Sequence, residues 1–122
     1  MKTCDNKYKE AHEKQVALSK EVIADEKRIE KMCSLLKVLS EPSRMKIVLT
    51  LLQGEACVYH IVEAVDGNQS AVSHQIRILK DSGAIKARRE GQNILYSIAD
   101  SHVEEIVEVA KTHAHCLEEG ER

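Results

Sequence analysis

Residues 100–116, which read DSHVEEIVEVAKTHAHC, carry side chains of the types that bind metal ions, grouped at the two ends of the segment. At about 100° per residue in an α-helix, His113 returns to within roughly 20° of the face on which His102 lies. Cys116 lies about 40° to the other side of His102, whereas His115 points nearly opposite. Three possible ligands therefore share one face. The two facing histidines are nevertheless about three turns apart, too far along one helix to bind a single ion.

The composition suits one small domain with an aliphatic core. The chain has 122 residues, of which 43% are hydrophobic, with no Trp, no Phe and three Tyr. A chain of this size often gains stability by pairing with a second copy of itself. No apolar run approaches the roughly 20 residues that a membrane helix needs. The polar start, MKTCDNKYKEAHEKQ, is not typical of a signal or transit peptide, so we expect a cytoplasmic protein without a membrane partner.

Cysteine content and charge limit the classes of function. The four cysteines are Cys4, Cys33, Cys57 and Cys116, and in a cytosolic chain we expect free thiols or metal ligands rather than disulfides. Cys33 stands among apolar residues, which predicts a buried thiol. The net charge of -2 argues against a protein that coats nucleic acid wholesale but allows a local basic surface. Because the chain has no Gly-rich phosphate loop, no H-E-x-x-H and no evident nucleophile–base set, we expect no enzyme activity.

The apolar pattern predicts a mainly α-helical chain with one small β-hairpin. Residues 5–27 are highly charged with scattered apolar positions, as in a helical arm that is poorly anchored. Apolar periodicity then predicts helices at about residues 29–39, 43–53 and 58–65, with a break at Ser40-Glu41-Pro42 and an end at Gly54. Two strand-like runs around Glu90-Gly91-Gln92, in IKARREGQNILYSI, predict the hairpin.

Capping residues mark the last two helices. Asn68 is a candidate N-cap for the helix in QSAVSHQIRILKDSG, and Gly83 ends it. The inner face of that helix is predicted to hold Val72, Ile76 and Leu79. The final helix starts at Asp100 or Ser101, where Ser101 and Glu104 match a capping box.

Two short helices at a tight turn, the second followed by a hairpin, form a winged helix-turn-helix. The second helix offers a polar face whose side chains can bond base edges or phosphates in the major groove. These side chains are Gln69, Ser70, Ser73, His74, Gln75 and Arg77. The hairpin adds Lys86, Arg88 and Arg89, which suit phosphate or minor-groove contacts. Residues 69–92 hold five basic and two acidic residues, which favours DNA binding over the alternative of an ordinary solvated surface.

Four consecutive segments resemble the ArsR/SmtB family of metal-sensing repressors: LSEPSRMKIVLTLL, EACVYHIVEAV, QSAVSHQIRILKDSGAI and REGQNILYSI. The similarity covers about residues 30–117. It implies a winged helix-turn-helix homodimer, with the first and last helices at the interface, that binds an inverted repeat in double-stranded operator DNA. It also implies that metal binding releases the DNA and derepresses genes for metal efflux or sequestration. We accordingly divide the chain into an N-terminal helical arm (residues 1–27), the winged domain (28–118) and a tail (119–122).

The resemblance also implies a metal site in the last helix, shared between two protomers. Zinc and cobalt sensors of the family carry D-x-H followed by H-x-x-[H/E] there, and Asp100, His102 and His113 match this pattern. Cys116 stands where His or Glu is usual, with His115 as the alternative fourth ligand. A carboxylate, two imidazoles and a thiolate suit tetrahedral zinc, and the thiolate extends tolerance to cadmium. The alternative is that the histidines line a dimer seam and Cys116 is a small apolar filler.

A second candidate metal site lies at Cys57 and His60, at the start of the short helix. Family members that sense softer metals carry C-x-C here, but Tyr59 replaces the second cysteine. Cys4 and His12 from the arm of a second protomer would complete the site, as in a zinc-responsive branch of the family. A structural role for Cys57 and His60 is the alternative.

Two other functions fit the same fold. A repressor that senses redox or persulfide state would act through Cys57 or Cys116 and would not need the imidazole of His102. A helical dimerisation module that binds another protein would have no operator at all, and a salt-dependent mobility shift on inverted-repeat DNA distinguishes it from a repressor.

Overall fold

The computed structural model describes residues 8–120 of the chain. In this range the helices and strands are α1 (Lys9–Ile23), α2 (Glu26–Leu39), α3 (Pro42–Leu51), α4 (Val58–Val65), α5 (Gln69–Asp81), β1 (Ile85–Glu90), β2 (Asn93–Ile98) and α6 (Ser101–Glu118). The predicted mainly α fold with one β-hairpin is confirmed. The chain divides into two compact units between Ser34 and Leu35. None of the described helices is both long and apolar enough to cross a membrane.

The first unit presents its apolar side chains to solvent. The predicted helix in the N-terminal arm is present as α1, and it buries none of its residues. On the part of α2 that belongs to this unit, Ile29 and Met32 follow the spacing of one helix face and are both exposed. Cys33 lies on this face and is exposed as well. The prediction of a buried Cys33 thiol was therefore wrong, because the apolar side chains that share its helix face in this unit are themselves exposed.

The second unit encloses an aliphatic core. Its buried residues come from every helix and strand between α2 and α6 except β2, which adds half-buried side chains. They are Leu39, Ile47, Val48, Leu51, Ala56, Ile61, Val72, Ile76, Leu79, Ala84, Ile85 and Val107. Among residues 8–120 no polar or charged residue is buried. Each large aliphatic side chain in this core contributes roughly 1.5–3 kcal/mol by leaving water, and this burial holds the helices and the hairpin of the second unit together.

The helix α3 begins where the sequence predicts but ends earlier. Glu41 is its N-cap, whose carboxylate accepts a hydrogen bond from the Arg44 N–H at 3.1 Å, and Pro42 follows at the first position. The prediction that α3 continues to Gln53 was wrong. After Leu51 the backbone hydrogen bonds span three residues instead of four, from Gln53 N–H to Thr50 O and from Gly54 N–H to Leu51 O.

The helix-turn-helix forms as the capping residues predict. Asp66 ends α4 in the left-handed conformation with φ of 54°. Asn68 caps α5, since its Oδ1 accepts a hydrogen bond from the Ala71 N–H at 2.9 Å. Gly83 has φ of 83°, which suits the residue that follows a helix. The three predicted inner residues of α5 are all buried: Val72, Ile76 and Leu79.

The wing is an antiparallel hairpin that is hydrogen-bonded to the segment preceding α4. Strand β1 pairs with β2 from Ile85↔Ile98 to Glu90↔Asn93, and the turn between them contains Gly91 with φ of 61°. Ala56 forms a bridge with Tyr96 through two backbone hydrogen bonds of 2.9 and 3.0 Å. The segment before Cys57 is therefore attached to the wing.

The cap of α6 differs from the prediction. Asp100 is the N-cap, and its Oδ1 accepts hydrogen bonds from the N–H groups of His102 at 2.9 Å and Val103 at 3.1 Å. The predicted capping box of Ser101 and Glu104 was wrong, because Ser101 is already the first residue of the helix.

Candidate metal centre and nucleic-acid interface

Asp100 and His102 form one half of the candidate metal centre, at the N-terminus of α6. The hydrogen bonds from Val103 and His102 hold the pKa of Asp100 below its usual range, although partial desolvation opposes them. Both backbone bonds and the 3.6 Å approach of His102 Nδ1 involve Oδ1. Within the described residues Oδ2 accepts no hydrogen bond, so this oxygen is available to a ligand while Oδ1 caps the helix.

His113 and Cys116 form the other half, near the C-terminus of the same helix. They share one shallow depression with Glu108, Val109 and Thr112. The Cys116 thiol is free and half-buried. His115 lies apart from them and is engaged by Glu119, whose Oε1 is 3.0 Å from its Nε2, and by Glu118. Its position does not support the role of alternative fourth ligand.

The two halves are too far apart to act together in one protomer. Eleven residues of α-helix separate His102 from His113 by about 16 Å along the axis. Across residues 8–120, no group of three or more His, Cys, Asp or Glu side chains is arranged to hold a metal ion. Asp100, His102, His113 and Cys116 therefore cannot bind one ion within a single α6 helix.

The helix face that carries these halves is turned away from the core of its own protomer. Val103 and Val107 are buried on the other side of α6, and Val107 belongs to that core. Ile106, Val109 and Leu117 remain 38%, 68% and 48% exposed, respectively, and they lie within about 60° of His102 around the helix. Candidate ligands and exposed aliphatic side chains thus share one stripe on α6.

The second candidate site is only partly described. Cys57 is the N-cap of α4 and is half-buried, without a side-chain hydrogen bond to the helix. His60 is exposed on the next turn and lines a depression with Tyr59 and Glu63. His12 lies on α1 in the first unit, and Cys4 lies outside the described residues. The structure thus places Cys57 and His60 at the start of α4, and within residues 8–120 they belong to no group of three or more possible metal ligands.

The outward face of α5 carries most of the predicted DNA-contacting side chains. Its exposed residues are Gln69, Ser70, Ser73, His74 and Arg77. They follow the turn of the helix-turn-helix. Ser70, His74 and Arg77 lie opposite the buried aliphatic face, whereas the other two lie to one side of it. This arrangement leaves them available to base edges or phosphates in a major groove.

Gln75 differs from these residues because it is half-buried against α3. Its Oε1 accepts a hydrogen bond from Arg44 Nη1 at 3.1 Å, and Arg44 Nε donates to the Val38 carbonyl oxygen at 2.8 Å. Arg44 thereby connects the end of α2 to α5. Sequence reasoning missed Arg44, since no helical periodicity relates it to Gln75, which follows 31 positions later.

The three predicted cations of the wing differ in whether they form an ion pair. Arg88 is held by Glu55 through contacts of 2.7 and 2.8 Å, and by Glu90 at 2.9 Å. The hydrogen bond from Arg88 also lowers the pKa of Glu55. Lys86 and Arg89 are exposed and form no ion pair with any described residue. Arg88 is therefore engaged by carboxylates of its own protomer, whereas Lys86 and Arg89 have no such partner among residues 8–120.

Comparison with known proteins identifies the class of fold and its relatives. The profile of the family described as "Bacterial regulatory protein, arsR family" matches residues 41–87. A transcriptional repressor SmtB homolog from Synechocystis is 35% identical over 84% of this chain and 76% of its own length. The chain belongs to the ArsR family. A cadmium resistance transcriptional regulatory protein, a CadC homolog from Staphylococcus aureus, is also 35% identical, over 84% of each chain.

A solved ArsR-family fold agrees with the architecture. The homodimeric winged helix-turn-helix DNA-binding domain of Mycobacterium bovis Mb0332, a possible ArsR-family regulator, has a TM-score of 0.74 at 29% identity. It covers 80% of this chain and 93% of that chain. The predicted winged helix-turn-helix is thereby confirmed. The ArsR profile ends at residue 87 within β1, so both halves of the candidate metal centre lie beyond the matched segment.

Proposed function

We propose that this ArsR-family protein is a metal-responsive transcriptional repressor that acts in the cytoplasm. It binds operator DNA as a homodimer and releases it on binding zinc, with cobalt or cadmium as other effectors, so that genes for metal efflux or sequestration are derepressed. The observation that carries the proposal is the stripe on α6, where two incomplete ligand sets flank exposed aliphatic side chains. The SmtB and CadC homologs among its relatives support the same class of function.

One antiparallel register of two α6 helices satisfies both features of the stripe. In a two-fold dimer, the register that places His102 opposite His113 of a second protomer also places Ile106 opposite Val109, because both pairs have the same midpoint. The apolar pairs would bury the exposed aliphatic surface at the centre. Two equivalent ligand sets then form, one at each end of the helix pair.

The side chains in each set fit zinc. Asp100 supplies Oδ2, His102 and His113 supply imidazole nitrogens, and Cys116 supplies a thiolate, which together match tetrahedral coordination. Bound zinc would neutralise the thiolate and carboxylate and fix the four side chains to one another. The sulfur ligand makes the set softer than one of oxygen and nitrogen alone, which favours cadmium as an additional effector.

The connection from α6 to the DNA-binding elements supports regulation from this position. Only Ala99 and Asp100 separate β2 from α6. The Ala99 N–H donates to the Ala84 carbonyl oxygen at 3.1 Å, and Ala84 follows directly on the turn that ends α5. A shift of Asp100 is therefore transmitted to both the wing and the recognition helix. A coupling free energy of about 3 kcal/mol is sufficient for a change of ~100-fold in operator affinity.

A zinc titration tests the proposal. Purified protein is bound to fluorescent inverted-repeat DNA, and release is followed for wild type, His113→Ala and His115→Ala. We expect zinc to release DNA from wild type and from His115→Ala but not from His113→Ala. Cobalt gives visible absorption that reports tetrahedral geometry and a thiolate bond. If His113→Ala responds like wild type, the α6 site is not regulatory and the Cys57 and His60 site becomes the candidate.

Thiol sensing is the second candidate function, because Cys57 and Cys116 are free and half-buried, within reach of small oxidants. A thiol switch keeps its response to oxidant in His102→Ala, whereas the zinc response requires that imidazole.

The division into an arm of residues 1–27, a winged domain of 28–118 and a tail of 119–122 stays a prediction. The contribution of Cys4 and His12 to a second metal site also stays a prediction.

A further inference from the structure

A small cleft lies between α3 and the first half of α5, beside the turn of the helix-turn-helix. Its volume is about 160 Å³. Ile47 and Val72 line its buried side, and Lys46 and Gln75 supply polar side chains at its wall. The cleft is therefore an apolar recess with hydrogen-bond donors at its edge, next to the helix that faces DNA.

The orientation of the Gln75 amide is fixed by its contact with Arg44. A guanidinium has only donors, so the amide atom that lies 3.1 Å from Arg44 Nη1 is the oxygen. The amide nitrogen, Nε2, is left without a hydrogen-bond partner in residues 8–120. Because no buried side-chain nitrogen or oxygen in this range lacks a partner, Nε2 is accessible to solvent. Gln75 therefore presents a donor.

The charge around the cleft favours an anion. Lys46 is exposed and forms no ion pair within the described part of the chain. The nearby carboxylate of Glu41 is already occupied, because it accepts hydrogen bonds from the N–H groups of Ser43 and Arg44 at the start of α3. The hydroxyl of Ser43, which also lines the cleft, is hydrogen-bonded to the same carboxylate. Among the described residues the Lys46 ammonium group and the Gln75 amide N–H thus remain as polar side-chain groups without a partner, and together they suit a phosphate oxygen.

We propose that Lys46 and Gln75 bind one backbone phosphate of duplex DNA at this cleft, and that Arg44 is the positioning residue that turns the Gln75 amide. The proposal rests on the proposed DNA-binding function and adds contacts outside the outward face of α5. It also changes the role of Gln75. A glutamine that reads adenine uses its oxygen and nitrogen together, whereas here the oxygen is held by Arg44, so Gln75 contributes affinity rather than base recognition.

Salt-dependent binding tests this site without knowledge of the operator, because a phosphate contact acts on any sequence. The full-length dimer is titrated onto a fluorescent duplex of mixed sequence, about 30 base pairs long, between about 50 and 200 mM KCl. The variants are Lys46→Met, Lys46→Arg, Gln75→Glu and, as a matched control on α6, Lys111→Met. Circular dichroism and thermal unfolding establish that each variant is folded.

We expect Lys46→Met to weaken binding and to lower the slope of log K against log [salt] by about one. Lys46→Arg and Lys111→Met should keep the wild-type slope. Gln75→Glu keeps an acceptor for Arg44 but removes the donor, so it should weaken binding at every salt concentration. An unchanged slope in Lys46→Met, with wild type bound normally, overturns the phosphate site alone.

Two further outcomes distinguish this site from a general loss of DNA binding and from a site for a small anion. If wild type binds no duplex at any salt concentration, the DNA-binding function fails, and the phosphate site fails with it. Inorganic phosphate is also added at constant ionic strength. If it binds wild type tightly and not Lys46→Met, the cleft takes a small free anion and the assignment to the DNA backbone is overturned. Weak competition by inorganic phosphate, no stronger than that of chloride, supports the assignment.

Discussion

The Nδ1 atom of His102 lies 3.6 Å from Oδ1 of Asp100, and the same oxygen accepts the two backbone hydrogen bonds that cap α6. The carboxylate of Asp100 therefore has two roles: it caps α6, and it is a candidate metal ligand. Oδ1 caps the helix, and Oδ2 accepts no hydrogen bond within residues 8–120. The two roles can be separated by substitution, because an amide caps a helix about as well as a carboxylate does.

Asp100→Asn is expected to keep the thermal stability of the protein and to lose zinc affinity. The carboxamide oxygen still caps α6, whereas the negative charge that binds the metal is gone. The loss should exceed the roughly tenfold effect of removing an outer-shell partner of a metal ligand. Competition with a zinc chelator measures the affinity, and Asp100→Ala, which also removes the cap, should lower Tm as well. Equal zinc affinity in Asp100→Asn and wild type would exclude Asp100 as a ligand.

Arg88 and Arg89 are adjacent in β1, yet their substitutions should have different effects on DNA binding. Arg89→Met removes a free cation, so the slope of log K against log [salt] should fall by about one. Arg88→Met removes the contacts to Glu55 and Glu90, so it should lower Tm and leave the slope unchanged. Anisotropy titrations at several salt concentrations measure both slopes. A reduced slope in Arg88→Met would show that this side chain leaves its carboxylates to contact DNA.

The ion pair between Glu55 and Arg88 should make stability depend on acid pH. The pKa of Glu55 is lowered from 4.5 in the folded protein, so its contribution to stability is present above pH 4.5 and is lost as the pH falls through the lower folded value. The difference in Tm between wild type and Glu55→Gln should therefore narrow from pH 6 towards pH 3. Glu63→Gln, at an exposed position on α4 without an ion pair among the described residues, is the control and should show no such narrowing.

The stripe on α6 should hold the dimer together. Val109 is 68% exposed in one protomer, and Val109→Asp would place an unpaired carboxylate in the proposed seam, which is strongly unfavourable. Sedimentation velocity at micromolar concentration should show a dimer for wild type and a monomer for Val109→Asp. Lys111→Asp adds a carboxylate on another face of the same helix and should stay dimeric. A dimeric Val109→Asp would mean that α6 does not form the interface in the proposed register.

Local signals in the sequence were enough to predict the DNA-binding elements. These signals depend on interactions within one or two helical turns, so they can be derived from residue spacing alone. They are the N-cap at Asn68, the helix end at Gly83 and the apolar inner face of α5. The predicted span of α4 and the hairpin at Gly91 are confirmed for the same reason. The cap of α6 was assigned one residue too late, because Asp100 and Ser101 are both good capping residues and spacing does not choose between them.

Contacts between distant segments could not be predicted in the same way. Arg44 contacts Gln75, and Arg88 contacts Glu55, only in the folded chain. Gln75 and Arg88 were both predicted to face DNA, but in the structure each is hydrogen-bonded to another side chain of the protein. The exposure of Cys33 has a related cause. An apolar face predicts burial, but it does not reveal whether the same protomer or a second one supplies the covering surface.

The separation of His102 and His113 on one helix has a genetic consequence. Each complete site would take one half from each protomer, so His102→Ala and His113→Ala should each inactivate both sites of their own homodimer. In a mixed dimer of the two variants, one site lacks both His102 and His113, whereas the other site keeps all four ligands. Co-expression of two unresponsive alleles should therefore restore part of the zinc response, which two defects within one chain never do.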